Sequence, residues 1–152
     1  MLEVGQKVPE FQGINQNGET ISLLGLNGKR VILYFYPKDN TPGCTAEACS
    51  LNDKNAYFIK KGFVIVGVSP DSMESHRKFA STFNLAFHLL ADPDKAITQA
   101  YEAWGEKKNY GKTYMGVIRT TYVISADGLI EFVFPKVDTK THAEQIIQAL
   151  GL

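Results

Sequence analysis

Two stretches of the chain are apolar almost without interruption, Arg30–Tyr36 and Phe63–Val68. Runs of this kind suit strands covered on both faces, as in a central parallel sheet. Between them lies a helical pattern. Pro37 closes the first run, Thr41 offers an N-cap, and Pro42 suits the first helical position. The pattern continues to about Lys61, where Gly62 is a plausible stop. Two strands joined by a helix need a crossover connection and are expected to run parallel.

The flanking patterns extend this unit. Phe11–Ile14 and Thr20–Leu23 surround Asn15-Gln16-Asn17-Gly18, and Asn-Gly supplies the positive φ angles of a tight β-hairpin. Gly25 to Lys29, with Gly25, Asn27 and Gly28, reads as a loop. After the second apolar run, Asp71 with Glu74 forms a capping pattern for a helix to about Phe83. Ala86–Leu90 reads as a short strand, and Asp92-Pro93 opens a short helix, with Pro at its first position, ending near Tyr101. Glu102–Gly116 has no clear period and reads as a loop bearing Trp104, Tyr110 and Tyr114, aromatics more often core than substrate contacts. Val117–Ser125 and Leu129–Phe134 read as strands about Ala126-Asp127-Gly128. Thr141 and Glu144 form a capping box for a last helix ending at about Leu150, before Gly151. The sum is an α/β fold, with a mixed central sheet flanked by helices and an N-terminal β-hairpin. That is the layout of a thioredoxin-like domain, expected here as one domain over residues 1–152.

Composition narrows the function classes. Apolar and charged fractions of 44% and 21% are those of an ordinary globular protein. Sixteen basic residues balance sixteen acidic ones, which argues against broad binding to nucleic acid or anionic membranes. No apolar run approaches the roughly 18 residues of a membrane span. Met1 to Gln12 lacks the apolar core of a signal peptide, so a cytoplasmic location is the expectation. The two cysteines, Cys44 and Cys49, are too few for a disulfide scaffold or a structural zinc site, and no histidine lies near them in sequence. A close pair in such a chain points to redox or catalytic use.

Both thiols sit just after the first apolar run. With Thr41 as N-cap, Cys44 is the third helical residue, where unpaired N–H groups and the positive end of the helix dipole favour a thiolate. Gly43 keeps one side of the thiol open. The plainer reading of Cys44 is a buried small apolar residue. Thr41 could cap the helix, orient an oxygen-bearing substrate, or do both. Cys49 is either a second redox thiol or a packed residue on the helix's inner face. In an ideal helix the two Cα atoms would lie about 8–9 Å apart and about 140° around the axis. A disulfide needs them within about 7 Å, so the two thiols could bond only if the first turns unwound. Glu47 would oppose a thiolate unless a cation intervened; otherwise it is a solvated first-turn charge. Arg119, in the strand-like run Val117–Ile124, is the attractive cation, against the plainer reading of an edge-strand charge facing water. Arg30 and Arg77 are weaker candidates.

These residues resemble the peroxiredoxins, and most closely the peroxiredoxin Q or bacterioferritin comigratory protein subfamily. The motif Pro-x-x-x-Thr-x-x-Cys appears as Pro37, Thr41 and Cys44, and the subfamily form as Thr41-Pro42-Gly43-Cys44-Thr45 with Cys49 five residues on. Phe63–Ser69, Leu90-Ala91-Asp92, Tyr101–Lys107, Gly111–Tyr114 and Arg119 before Thr120 extend the resemblance along the chain. It implies a peroxidatic Cys44 that attacks the peroxide and becomes a sulfenic acid. Thr41, Arg119 and the Cys44 N–H would hold the peroxide oxygens, Pro37 would shield the sulfenic acid, and Glu47 would orient Arg119. Cys49 would resolve the sulfenic acid into an intramolecular disulfide, which thioredoxin or a similar dithiol reduces. No metal, haem or flavin is implied. A disulfide within one chain needs no second copy, so a monomer is expected. A disulfide oxidoreductase is the alternative enzyme, but it would use Cys-x-x-Cys spacing. A redox-signalling role could coexist with the first reading. A cysteine protease would need a Cys–His arrangement that is not apparent. Peroxide preference would depend on the pocket near Pro37, Phe35 and the Trp104–Tyr114 segment.

Overall fold

The structure is a computed structural model that describes residues 1–26 and 28–152; Asn27 lies outside the described residues. The strands are β1 (Gln12–Ile14), β2 (Thr20–Ser22), β3 (Arg30–Phe35), β4 (Phe63–Ser69), β5 (His88–Ala91), β6 (Trp104–Asn109), β7 (Lys112–Val117), β8 (Thr120–Ile124) and β9 (Ile130–Phe134). The helices are α1 (Pro42–Asp53), α2 (Asn55–Lys60), α3 (Met73–Phe83), α4 (Ala96–Ala100) and α5 (His142–Leu150). Seven strands form one sheet in the order β2-β1-β5-β4-β3-β8-β9, and β6 and β7 form a separate hairpin. β3, β4 and β5 are parallel, while β8 and β9 are antiparallel additions beside β3. This is the thioredoxin-like mixed sheet that the pattern predicts.

The unbroken apolar runs have the expected cause. Ile32, Tyr34 and Tyr36 enter one core with α1, α2, α3 and α5. Val31, Leu33 and Phe35 enter a second core, on the opposite face, with the N-terminal segment, Ile97 and Tyr101. Alternate residues of β3 therefore meet different layers, and both faces of the strand are buried. Tyr34 lies across its parallel partner Gly67. A Cβ on Gly67 would lie 2.8 Å from that ring, so only glycine fits beneath it.

Several sequence expectations change. The long helix from Pro42 breaks at Lys54 into α1 and α2. α3 is capped by Ser72, whose side chain accepts from Ser75 N, and not by Asp71, whose carboxylate turns back to Ser69 and Asp39. Pro93 does not begin a helix. Asp92 instead reaches over the following turn and accepts from the N–H groups of Ile97 and Thr98 in α4. Thr141 makes no side-chain cap on α5. Glu102–Gly116 is mostly the β6–β7 hairpin, closed at Tyr110-Gly111, where both residues have positive φ. Tyr110 there is 98% exposed and Tyr114 is exposed too, so neither is core. The predicted strand Val117–Ser125 is interrupted at Ile118 and Arg119, which join β7 to β8.

Candidate active site

β3 runs to the carboxyl edge of the sheet, and α1 starts just beyond it. Pro42 has no N–H to satisfy, and the first α1 bond runs from Thr45 N to Thr41 O at 2.8 Å. Among the described residues, the Gly43 and Cys44 N–H groups have no acceptor. Thr41 has the extended backbone of an N-cap but makes no side-chain capping bond. Its hydroxyl instead donates to Lys38 O at 2.8 Å. The capping role expected of this side chain is thus not realised. Thr41 Oγ1 has spent its proton, and its lone pairs are left to accept one.

Cys44 is 1% exposed and belongs to the core above the sheet, in a stripe with Ala48 and Leu51 one and two turns on. The plain reading of a packed thiol is therefore right about its burial. What packing does not explain is Arg119, whose Nη2 donates to Cys44 Sγ at 3.3 Å across 75 residues of chain. Strand register brings it there. Phe35, the last residue of β3, pairs with Thr120, the first of antiparallel β8, so the residue before β8 stands beside the start of α1. The plainer alternative, an edge charge facing water, does not describe this side chain. A Cβ on Gly43 would lie 3.4 Å from Arg119 Nη2, which shows how closely the guanidinium crosses the helix start.

Glu47 fixes the guanidinium from the other side. Arg119 Nη1 donates to Glu47 Oε1 at 2.6 Å, and the Glu47 side chain is fully buried. Burial pushes the Glu47 carboxyl up to about 7, against the charge and hydrogen bond of Arg119. Burial works against the Arg119 charge as well, but Glu47 and Cys44 outweigh it and raise its proton affinity. Lys107 of β6 donates to Val117 O at 2.9 Å, two residues before Arg119. Its proton affinity is lowered by burial and then by the Arg119 charge.

Pro37 is half-buried at the end of β3, within the same loop. Phe35 is not at the site, since it points into the opposite core against Tyr101 and Tyr122. Trp104 lies partly buried against that second core. Cys49 is half-buried, and burial with the nearby Asp53 charge raises its thiol. Both cysteines are free thiols on an unbroken α1.

Two polar clusters support the site, and no local sequence pattern marks either. Asp39, in the loop before α1, accepts from Tyr36 Oη at 2.6 Å, from Ser75 Oγ at 2.8 Å, and lies 2.6 Å from His76 Nδ1. Asp39, Asp71 and His76 bring ligand-type atoms within 4.8 Å of one another. His76 Nε2 faces Leu90 O at 3.0 Å and both carboxylates accept hydrogen bonds, so the cluster ties the loop to α3. Behind Glu47, fully buried His142 of α5 bonds Thr121 Oγ1 at 2.8 Å. Its only sign in the sequence is a histidine on the face of α5 that also carries Ala143 and Ile146.

Residues 4–133 match the AhpC/TSA family. A protein named putative peroxiredoxin bcp, from Helicobacter pylori strain J99, is 47% identical over 98% of both chains. Peroxiredoxin Bcp of Bacillus subtilis is 44% identical over 98% of this chain and 95% of its own. Among solved structures, a peroxiredoxin Q from Xylella fastidiosa superposes with a TM-score of 0.92 at 27% identity, covering 99% of this chain and 96% of that one. The bacterioferritin comigratory protein of Xanthomonas campestris, described for its alkyl peroxide reduction activity, gives 0.86 at 35% identity over 93% and 90%. By sequence and by fold, this chain belongs to the AhpC/TSA family, in its peroxiredoxin Q or bacterioferritin comigratory protein branch.

Proposed function

We propose that the chain is a thiol-dependent peroxidase that reduces hydrogen peroxide and organic hydroperoxides through Cys44. The observation that carries this reading is the guanidinium of Arg119, 3.3 Å from the Cys44 sulfur, beside the two unpaired N–H groups of Gly43 and Cys44. That set of donors stands at the start of α1, around the thiol. It suits a substrate whose leaving oxygen gains negative charge.

The Cys44 thiolate attacks one peroxide oxygen and the O–O bond breaks. The electron pair leaves on the departing oxygen, which takes a proton and departs as water or an alcohol, and Cys44 becomes a sulfenic acid. Arg119 and the N–H groups hold the charge that develops. Thr41 Oγ1 accepts a hydrogen bond from the bound hydroperoxide, Pro37 borders the thiol, and Glu47 orients Arg119. Cys49 then attacks the sulfenic sulfur, water leaves, and an intramolecular disulfide forms. That step requires the first turns of α1 to open, a low-cost motion for a helix end. Thioredoxin or a similar dithiol protein returns both cysteines to thiols. We place this activity in one domain spanning residues 1–152, acting as a monomer in the cytoplasm, since both thiols lie on the same chain. No helix among the described residues is long and apolar enough to cross a membrane.

Peroxide consumption coupled to NADPH, thioredoxin reductase and thioredoxin tests the reading. Cys44→Ser should abolish turnover. Cys49→Ser should abolish thioredoxin-driven turnover while leaving one reaction with peroxide that ends in sulfenic acid. Undiminished turnover in Cys44→Ser would overturn the proposal.

A further inference from the structure

Arg119 stands on the two-residue link, Ile118–Arg119, between β7 and β8. The sheet fixes the far side of that link, since Thr120 pairs with Phe35. It does not fix the near side, because β7 belongs to the β6–β7 hairpin, which forms a sheet of its own. Three hydrogen bonds hold the link instead. Ile118 N donates to Ala103 O at 2.7 Å, Thr120 Oγ1 donates to Ile118 O at 2.9 Å, and Lys107 Nζ donates to Val117 O at 2.9 Å. The third comes from a side chain that crosses the hairpin to reach its acceptor. Lys107 pairs with Tyr114, whereas Val117 pairs with Trp104 at the base, so the lysine runs along the hairpin face towards the link. The pair it crosses is Gly105 and Gly116, directly opposite each other on the face that carries Lys107. A Cβ on Gly116 would lie 3.1 Å from Lys107 Cδ, and one on Gly105 would lie 3.6 Å from Ile118 Cγ1. Neither glycine has a positive φ, so backbone conformation does not call for glycine at either position. The bare strip does: it seats the lysine stem and the Ile118 side chain. Lys107 is half-buried, while Lys108 and Lys112 of the same hairpin are exposed. Among the described residues it makes no ion pair. Drawing an ammonium partly out of water with no carboxylate to meet it costs free energy, so the bond to Val117 O is what this placement supplies.

We propose that Lys107 is a positioning residue for Arg119: by holding the Val117 carbonyl across the Gly105–Gly116 strip, it fixes the backbone link from which the guanidinium reaches Cys44 and Glu47. The proposal rests on the reading of Cys44 as the attacking thiolate and deepens it. The contacts served are close ones, 3.3 Å to Cys44 Sγ and 2.6 Å to Glu47 Oε1, and they leave little room for a displaced link. The two cations are near enough that the Arg119 charge lowers the proton affinity of Lys107, which puts the ammonium beside the group it positions.

The test compares the second-order rate constant for oxidation of Cys44 by hydrogen peroxide in the unmutated protein and in Lys107→Met, which keeps an unbranched stem and loses the donor. The rate should fall about ten- to hundredfold, the scale of a displacement of about 1 Å at a reacting centre. In an Arg119→Ala background the same substitution should change the rate by less than about twofold, because its route of action is gone. Gly116→Ala, which keeps every charge and displaces the stem, should lower the rate in the same direction by less, and should add nothing to Lys107→Met. An unchanged rate in Lys107→Met, or its full loss repeated in the Arg119→Ala background, would overturn the proposal. Nitrogen-15 NMR of the Arg119 guanidinium separates positioning from mere support of the hairpin. Held by Cys44 and Glu47, its Nη groups should give resolved signals in the unmutated protein and merged ones in Lys107→Met. Signals that are alike in the two proteins would overturn the proposal. That readout needs no peroxide, so failure of the peroxidase reading, with Cys44 unreactive in every variant, would be recognised separately.

Discussion

Phe35 and Thr120 are antiparallel partners at the edge of the sheet, and their register carries Arg119 to within 3.3 Å of the Cys44 sulfur. One guanidinium nitrogen faces the sulfur and another faces Glu47. Lysine has a single head group and cannot hold both. Arg119→Lys should therefore lower the second-order rate constant with hydrogen peroxide by about 10²-fold or more, the range for losing one preorganised donor. Stopped-flow oxidation of the reduced protein measures it. A change in thermal stability too small to unfold the protein would show that the loss is in the chemistry.

Asp39 anchors the loop before α1. It receives donors from Tyr36 and Ser75 and faces His76, a ring whose two nitrogens both face oxygen acceptors. Removing the acceptor of a buried hydrogen bond costs about 1–3 kcal/mol for each donor left unpaired. Asp39→Ala should lower urea-unfolding stability by about that much. It should also slow peroxide reduction, because Thr41 lies two residues beyond the anchor.

Glu47 and His142 have opposite effects on stability with pH. The folded state holds a proton on Glu47 that the unfolded chain releases above about pH 4.3, so this group costs stability as pH rises towards about 7. The folded state refuses a proton on His142 that the unfolded chain binds below about pH 6.5, so this group costs stability as pH falls towards about 4. Over the shared window the two slopes oppose. His142→Phe removes the second one. Measured by urea unfolding, the variant should gain about 3 kcal/mol relative to wild type between about pH 6.5 and pH 4.

Cys44 and Cys49 lie on one continuous helix, five residues apart. Their disulfide is incompatible with that helix, because its Cα atoms must come within about 7 Å. Amide exchange should show the first turns of α1 protected in the reduced protein and open in the oxidised one. Protection in β3 and β4 should be unchanged. Cys49→Ser should keep α1 protected after peroxide treatment.

Much of this was legible in the chain because the signals were local. The continuous apolar runs announced strands buried on both faces, and Pro42 with Thr41 marked the start of α1. Pro37, Thr41, Cys44 and Glu47 fall within eleven residues, so their grouping needed no tertiary information. Arg119 could be named only as a charge out of place in a strand-like run, since the register that delivers it belongs to the sheet. His142 was hidden for the same reason, because a capping pattern at Thr141 explained the local sequence without it. The β6–β7 hairpin carries no strand pattern because its residues are mostly exposed, so burial imposes no alternation on them. Asp71 is drawn from the capping position by Ser69 and by the Asp39 N–H, which only the fold brings near, whereas Asp92 reaches past a turn to Ile97 and Thr98, five and six residues on.

Intact-mass measurement after treating the reduced protein with one equivalent of hydroperoxide tests the central claim most directly, that Cys44 attacks and Cys49 resolves. The account predicts that wild type loses two hydrogens, Cys49→Ser gains one oxygen, and Cys44→Ser is unchanged. Gain of an oxygen by Cys44→Ser, or formation of the wild-type disulfide between chains rather than within one, would contradict it.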